Sequence, residues 1–459
     1  MGGRLKALKA GGTGRMTVTT RIPNTLLAAL LAESGWTNGQ FAIAVNRAGA
    51  EAGLWLSYDD SAVCHWLSGT LPRERVRPLL CEVLTRRLRR PVTLAAAGLG
   101  PQITSGEEDT DTVTWLIDLG SADMDPTRRA ALGAIGLYSA ALAIPGWADI
   151  HGRLELLRTN PHVHVGSAEV NAVRAVTDHL SSLDDQFGGR AIRPLAASFL
   201  VNTIAPHLNA DAAPAVRAGM LSAAADHCYL TGYMAVDERA DGLAQKYYLL
   251  ALRLAGHADD HLTYCTTLRG MSVQAVDLRH TSDALLLADA AASAAPQAGP
   301  RMLAFLTGQQ AHAAAQAGDR NQALARLREA ETAMDRAESQ GKTFGSYDPS
   351  SLQYHVAQVW YELGDRQASI DALQQADRLR GPAYRRTHVR HLGALAERKL
   401  ELGHLEEACT DWNRMLNDYP AVQSGRCDDR FTTMMSLIRP YLRNSHARDL
   451  YQRARTVRP

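Results

Sequence analysis

Thr37, Asn38, Ser61, Ala62 and His65, followed by Arg73, Arg75 and Arg77, are the densest group of residues in this 459-residue chain that could read a ligand. Their types suit DNA. Ser61 and His65, four residues apart, share one helical face and offer a hydroxyl and a ring nitrogen to a major groove, with Ala62 beside them. Asn38 at a helix start can reach a phosphate, and the three arginines add salt-dependent attraction that carries no sequence information. Asp59 and Asp60 work against that chemistry, because phosphates repel carboxylates. They fit a helix cap, an acceptor for cytosine N4, or a domain that no longer binds DNA.

A second group is spread over the C-terminal half. Tyr229, Tyr233, Arg269, Tyr354, Gln358 and Tyr361 fall at repeat positions expected to face a concave groove, where rings and amides could hold a peptide, a small molecule or a protein partner. Catalytic chemistry has no comparable signature. There is no P-loop, dinucleotide fingerprint, G-x-S-x-G elbow or H-E-x-x-H, and no histidine has a nucleophile beside it in sequence. His162-x-His164 lacks a Cys or acidic partner for a metal, so a loop or strand-like pair of polar rings is expected there. The expectation is no enzyme, no cofactor and no metal.

The first group needs two helices to hold it. Thr37 and Gln40 form a capping box, which predicts a helix start at Thr37, with Phe41, Ala42 and Val45 as its apolar stripe. A second helix is predicted from about Asp59 to Leu67, burying Ala62, Val63, Trp66 and Leu67 and stopped by Gly69 with Pro72 beyond. A loop from Arg47 to Tyr58 would join them. A third helix is expected over 73–90, ended by Pro91. The Gly, Pro, Ser and acidic stretch 98–111 reads as a linker. The predicted division is a disordered extension over 1–20, a helix-turn-helix domain over 21–97, the linker 98–111, a helical connecting region over 112–215 and a repeat domain over 216–459.

Charge follows that division. Residues 1–100 carry 13 Lys+Arg against 6 Asp+Glu, while the remainder carries 36 against 42, so the basic excess sits on the DNA-reading domain. Arg86, Arg87, Arg89 and Arg90 are expected to flank its recognition helix. Six scattered cysteines without a C-x-x-C pair fit a reducing cytoplasm. The first 15 residues lack the apolar core of a secretory signal, and Met16 could be the initiator. Arg128-Arg129 before an Ala-rich run ending at Ile144-Pro145 imitates an export signal but lies too far along the chain. That run is shorter than the roughly 20 residues a spanning helix needs, so a buried helix is expected and a membrane is not. Asp184 to Arg190 reads as a loop in which Phe187 packs and the glycines turn.

From about residue 220 the chain repeats. Gly318-Asp319 leads to Ala323, Leu327 and Ala330; Gly364-Asp365 to Ser369, Leu373 and Ala376; Gly403-His404 to Ala408, Trp412 and Met415. Ala244 with Tyr248 and Ala251, and Ala284 with Ala288, fit the same positions. Spacings of 40, 39, 46 and 39 between the small residues exceed the tetratricopeptide repeat's usual length of about 34, with Gly341 to Ser351 read as an insertion. The fold class is therefore all-α: a helix-turn-helix bundle, a helical linker region and a tetratricopeptide-like solenoid. Five or more units would stack into a right-handed superhelix with a concave groove.

Ser61-x-x-x-His65-Trp66-Leu67-x-Gly69-x-x-Pro72 resembles the recognition-helix end of lambda-repressor and Cro-like (XRE-type) domains. With the Arg128-Arg129 pair, Pro145-Gly146-Trp147, Asp185 to Gly189 and the long repeats, the chain resembles streptomycete helix-turn-helix and tetratricopeptide regulators of differentiation and antibiotic production. That resemblance implies a cytoplasmic transcriptional regulator. We expect a homodimer on double-stranded DNA, with a peptide, small molecule or protein in the repeat groove. The competing expectation is a repeat scaffold or adaptor with a vestigial helix-turn-helix, possibly membrane-associated.

Overall fold

The computed structural model describes residues 23–51, 54–88, 90, 92–99, 111–125, 138–139, 160–293, 299–337, 347–381 and 383–457. They divide into two compact units, residues 1–47 with 56–103 and residues 48–55 with 104–459. Both are helical, apart from one short parallel pair, β1 (Asn160–His164) with β2 (Ala210–Asp211). His164 of the expected polar pair lies on β1, its Nε2 3.6 Å from Asp211. The 1–20 extension and most of both the Ala-rich run 130–144 and the 98–111 linker lie outside the described residues. Among those described, no helix is long and apolar enough to cross a membrane.

The first unit is built on α1 (Thr25–Ser34), α2 (Asn38–Glu51), α3 (Asp60–Leu67) and α4 (Arg77–Leu88). Leu27, Phe41, Val45, Val63, Leu79, Leu80 and Leu84 fill its core. Trp66 meets Phe41 and Tyr58 edge-on, with ring centroids 6.4 and 4.9 Å away, the arrangement aromatic quadrupoles prefer. α2 runs on to Glu51, so the expected Arg47 to Tyr58 loop is shorter by a turn of helix. The Asn46 side chain ties the loop down, bonding both the N–H and the carbonyl of Tyr58 at 2.8 Å.

The second unit opens with α5 (Thr112–Met124), α6 (Ser167–Phe187) and α7 (Gly189–Phe199), the last continuing through a wider turn to Leu208. Six helical hairpins follow: α8 (Pro214–Asp237) with α9 (Asp241–His257), α10 (His261–Asp277) with α11 (Thr281–Ser293), α12 (Pro300–Gln316) with α13 (Arg320–Asp335), α14 (Pro349–Glu362) with α15 (Arg366–Leu379), α16 (Arg385–Glu401) with α17 (Leu405–Asp418), and α18 (Gly425–Ile438) with α19 (Ser445–Thr456). α14 begins inside the expected 341–351 insertion. The small residues Ala244, Ala284, Ala323, Ser369 and Ala408 are all 0% exposed, since a larger side chain there would push the paired helices apart.

The first five hairpins share one turn. Arg239, Arg279, Gly318, Gly364 and Gly403 all hold positive φ, from 62 to 89°, and the N–H of the following residue bonds five residues back, as from Asp319 to Ala314 and from His280 to Ala275. This is the left-handed helix stop that favours glycine. Arginine takes the position in the two earliest turns, which is why their repeats lack the Gly-Asp signature.

The array closes on itself at its ends. Asp184 to Phe187, expected as a loop, form the last turn of α6, and that turn meets α16 and the segment before α18. Phe187 is 39% exposed rather than packed, and its carbonyl accepts from the Gln423 N–H at 2.7 Å. Gly188 follows at φ +88°, where an added Cβ would lie 2.4 Å from the Gln423 carbonyl oxygen. The first hairpin also touches the last: Ser424 donates to Asp237 at 2.8 Å and Arg239 pairs with Asp429 at 2.5 Å. The concave face is thereby closed across its ends.

Candidate binding site

The concave face is lined by the first helix of each hairpin. Counting back from the turn residue, the positions six, ten and thirteen before it share one helical face. Ten before lie Tyr229, Arg269, Gly308, Tyr354 and Gly393; six before lie Tyr233, Val273, His312, Gln358 and Glu397; thirteen before lie Phe305, Ser351 and Arg390. Apart from the two glycines, these residues line two adjoining cavities, of about 170 and 360 Å³, that share Asp277, His312, Tyr354, Arg390 and Arg426.

All six residues expected in the groove are brought there. Tyr229, Tyr233, Arg269 and Tyr354 line the first cavity; Tyr354, Gln358 and Tyr361 line the second. Tyr229 is buried against Tyr248, their centroids 5.9 Å apart, and burial pushes its phenol up to about 12. Gln358 accepts from Arg398 at 2.6 Å, and Tyr361 lies beneath the guanidiniums of Arg366 and Arg398 while donating to Glu401 at 2.8 Å. These two are engaged by neighbouring repeats. Tyr354 stacks on His391 at 4.3 Å, and Arg269 lies 4.1 Å over the ring of Phe305, a favourable cation–π placement.

Hydrogen bonding fixes one tautomer at the rim of this site. Arg269 Nη2 lies 3.2 Å from His355 Nε2. A guanidinium only donates, so Nε2 must accept and Nδ1 carries the proton, given to the Tyr347 oxygen 2.7 Å away. Gly308 admits that pair, since a Cβ there would come within 2.6 Å of the Tyr347 hydroxyl. Burial, then Arg269 and His312, hold His355 well below its ordinary pKa, and burial pushes His312 down to about 4. His391 is likewise held far down by burial and nearby arginines. The three rings are therefore neutral near pH 7.

The arginines carry the charge. Arg386 is anchored by Asp184 at 2.9 Å and Asp185 at 2.8 Å, with Asp237 at 3.5 Å; burial works against its cation and these carboxylates keep it charged. Burial, opposed by Arg386, raises the Asp184 pKa, with Asp237 and Asp185 adding to the rise. Arg426 pairs with Asp277. Burial pushes Asp277 up, but Arg426, Arg390 and Arg239 hold it below the usual carboxylate range. Burial would also raise the Tyr233 phenol, yet Arg386, Arg390 and Arg426 hold it below its ordinary value. A depressed phenol at a buried position reports a positive potential. Arg386, Arg390, Arg398, Arg426 and the three histidines were not singled out in the sequence. The stripe would have shown Arg390 once Arg239 and Arg279 were aligned with the turn glycines; Arg386 and Arg426 are brought in by the closure of the array.

In the first unit, the sequence-marked residues are held as follows. Thr37 is exposed and completes the capping box, its Oγ1 accepting from Gln40 N at 3.2 Å while Gln40 Oε1 accepts from Thr37 N at 3.0 Å. Asn38 donates to Cys64 Sγ at 3.2 Å. Asp59 caps α3, accepting from the Ala62 N–H at 3.0 Å. Ser61 and His65 are exposed on α3 and Ala62 is half-buried. Arg73 and Arg75 are exposed, whereas Arg77 donates to the Pro72 carbonyl at 3.0 Å. The wider arginine patch is largely consumed by packing. Arg86 pairs with Glu82 at 2.8 Å, Arg87 lies over Trp36 and donates to the Ser34 carbonyl, and Arg90 pairs with Glu33 at 2.5 Å.

Residues 27–100 match the family described as the SP15 N-terminal domain. That match falls on the first unit together with the segment 48–55. No curated protein matches the chain. Among solved structures the chain is similar to "Crystal structure of APC/C hetero-tetramer Cut9-Hcn1", with 14% identity, covering 94% of this chain and 74% of that chain at a TM-score of 0.33.

Proposed function

We propose that this protein is a helical-repeat binding protein: it acts by holding a ligand or partner in the concave cleft of its repeat unit, and it is not an enzyme. The observation that carries this reading is the cleft itself, where Tyr229, Tyr233, Arg269 and Tyr354 converge from three different repeats on one cavity. Concave surfaces of stacked repeats are their usual binding surface. Arg86 and Arg90 are held by Glu82 and Glu33 rather than left free to meet phosphates, which favours an adaptor over a DNA reader.

A second reading, a cytoplasmic DNA-binding regulator of the streptomycete type, draws support from one feature. α3 is capped and presents Ser61 and His65 outward beside exposed Arg73 and Arg75. Asp59 and Asp60 lie exposed at the start of the same helix. On this reading the protein would be a dimer on two half-sites.

Affinity capture from a native extract, followed by mass spectrometry of retained proteins and small molecules, tests the first reading with full-length variants. Retained species should be lost on Arg269→Ala with Tyr354→Ala and kept on His65→Ala with Arg73→Ala. Identical retention by wild type and the cleft variant would sink it. Salt-sensitive, sequence-selective DNA binding lost on His65→Ala would move the assignment to the second reading.

A further inference from the structure

The cleft's ionic inventory is unbalanced in a way that points to what it recognises. Five guanidiniums line the first cavity, those of Arg269, Arg380, Arg386, Arg390 and Arg426, against Asp184, Asp185 and Asp277. The three carboxylates are committed to Arg386 and Arg426. Arg380 reaches Asp348 at 3.7 Å. Arg269 has the Phe305 ring, the neutral His355 and the Tyr229 hydroxyl as partners, and its Nε has no hydrogen bond. Arg390 is half-buried, lines both cavities, and has neither a carboxylate nor a hydrogen-bond partner among the described residues. Arg426 is 3% exposed, yet its Nε and Nη1 have no hydrogen-bond partner.

Unsatisfied buried donors are costly, and guanidinium forks match the two oxygens of a phosphate or carboxylate. The walls between them are flat rings, Tyr354 stacked on His391 and Phe305 set edge-on to Tyr347 at 5.3 Å. The ion pairs that close the array across its ends restrict the cavity to a compact occupant.

Resting on the reading of this cleft as the binding site, we propose that it takes a small organic oxyanion, bearing phosphate or carboxylate groups, with Arg390 and Arg269 as its principal contacts and Arg426 donating from the floor. The oxygens complete the donors left open by the fold, and the rings receive the apolar body of the ligand. Arg390 is then the arginine left for the ligand: no ion pair or hydrogen bond within the described residues holds its guanidinium.

Isothermal titration of the full chain with pyrophosphate, adenosine monophosphate, citrate and succinate tests this, with sodium chloride at matched ionic strength as reference. Saturable binding is expected in the phosphate arm or the carboxylate arm, which identifies the source of the oxyanion. Arg390→Gln should weaken it about tenfold or more, the loss expected for a charge-assisted hydrogen bond, and Arg390→Lys by less. The unliganded Arg390→Gln protein should melt close to wild type, because no direct ion pair is broken and Asp277 keeps Arg426; Arg269→Lys provides a second variant with the charge kept and the fork removed. Binding of none of the four probes above the chloride reference, or binding unchanged in Arg390→Gln and Arg269→Lys, overturns the proposal. Cleft-dependent capture of a protein alongside either result would leave the binding-protein reading standing, whereas capture insensitive to the cleft would remove both.

Discussion

His388 shows how far a single side chain depends on its neighbours. Its Nδ1 lies 2.6 Å from Asp418 and its Nε2 3.1 Å from Asp377, which also receives Arg414 at 2.7 Å. Two carboxylates facing both ring nitrogens call for the imidazolium, and the bond to Asp377, opposed by burial and aided by Asp418, raises its pKa above the usual value. A pKa raised on folding stabilises fully below the unfolded value, about 6.5, and that contribution is lost as pH rises through the folded value. Thermal melts of wild type and His388→Gln between about pH 6 and pH 9 should therefore converge toward the alkaline end. A gap that widens with pH would contradict the assignment. Asp59 makes the same point without titration: in sequence it is a carboxylate near a DNA-reading helix, and in the fold its oxygen caps that helix.

At the scale of elements, the recurring turn decides how the hairpins fold back. Gly318 holds φ +82° with open space around its missing Cβ, so a substitution there feels the backbone conformation and nothing else. Gly318→Ala should destabilise by about 1 kcal/mol, the cost of an L-residue in the left-handed region, visible as a lower urea midpoint with helix content unchanged. A midpoint shift of zero would mean that the turn relaxes at no cost. The capping box at Thr37 and Gln40, the stop at Gly69 and the buried small residues at 244, 284, 323, 369 and 408 were legible because each is dictated by contacts within one helix or one hairpin. The end of α2 and the last turn of α6 were not: Asp184 to Phe187 is polar and borders a glycine pair yet is helical, and Arg47 to Glu51, rich in helix formers, carries no local mark of where the helix stops. Local propensity is a weak prior that tertiary packing overrides.

For the repeat unit as a whole, closure is the distinguishing property. Gly188 sits where α6 meets the segment before α18, and Gly188→Ala would place a methyl against the Gln423 backbone at a φ that alanine resists. Hydrogen exchange should then quicken at residues 184–190 and 423–429 together, while the hairpin centred on Gly318 keeps its protection. Exchange confined to residues near Gly188 would show that the two ends are held independently. The sequence by itself determined the helices, the repeat period and a stripe of groove residues, because periodicity and capping act over a few residues. It also placed the basic excess of the first hundred residues, but only the tertiary structure decided that Arg86, Arg87 and Arg90 serve packing. The tertiary structure likewise decided that Asp184 and Asp185 would reach Arg386 across about 200 residues of chain. Which charges cancel depends on distances in space, so the arginines left without a carboxylate, Arg390 and Arg269, emerge only when the array closes.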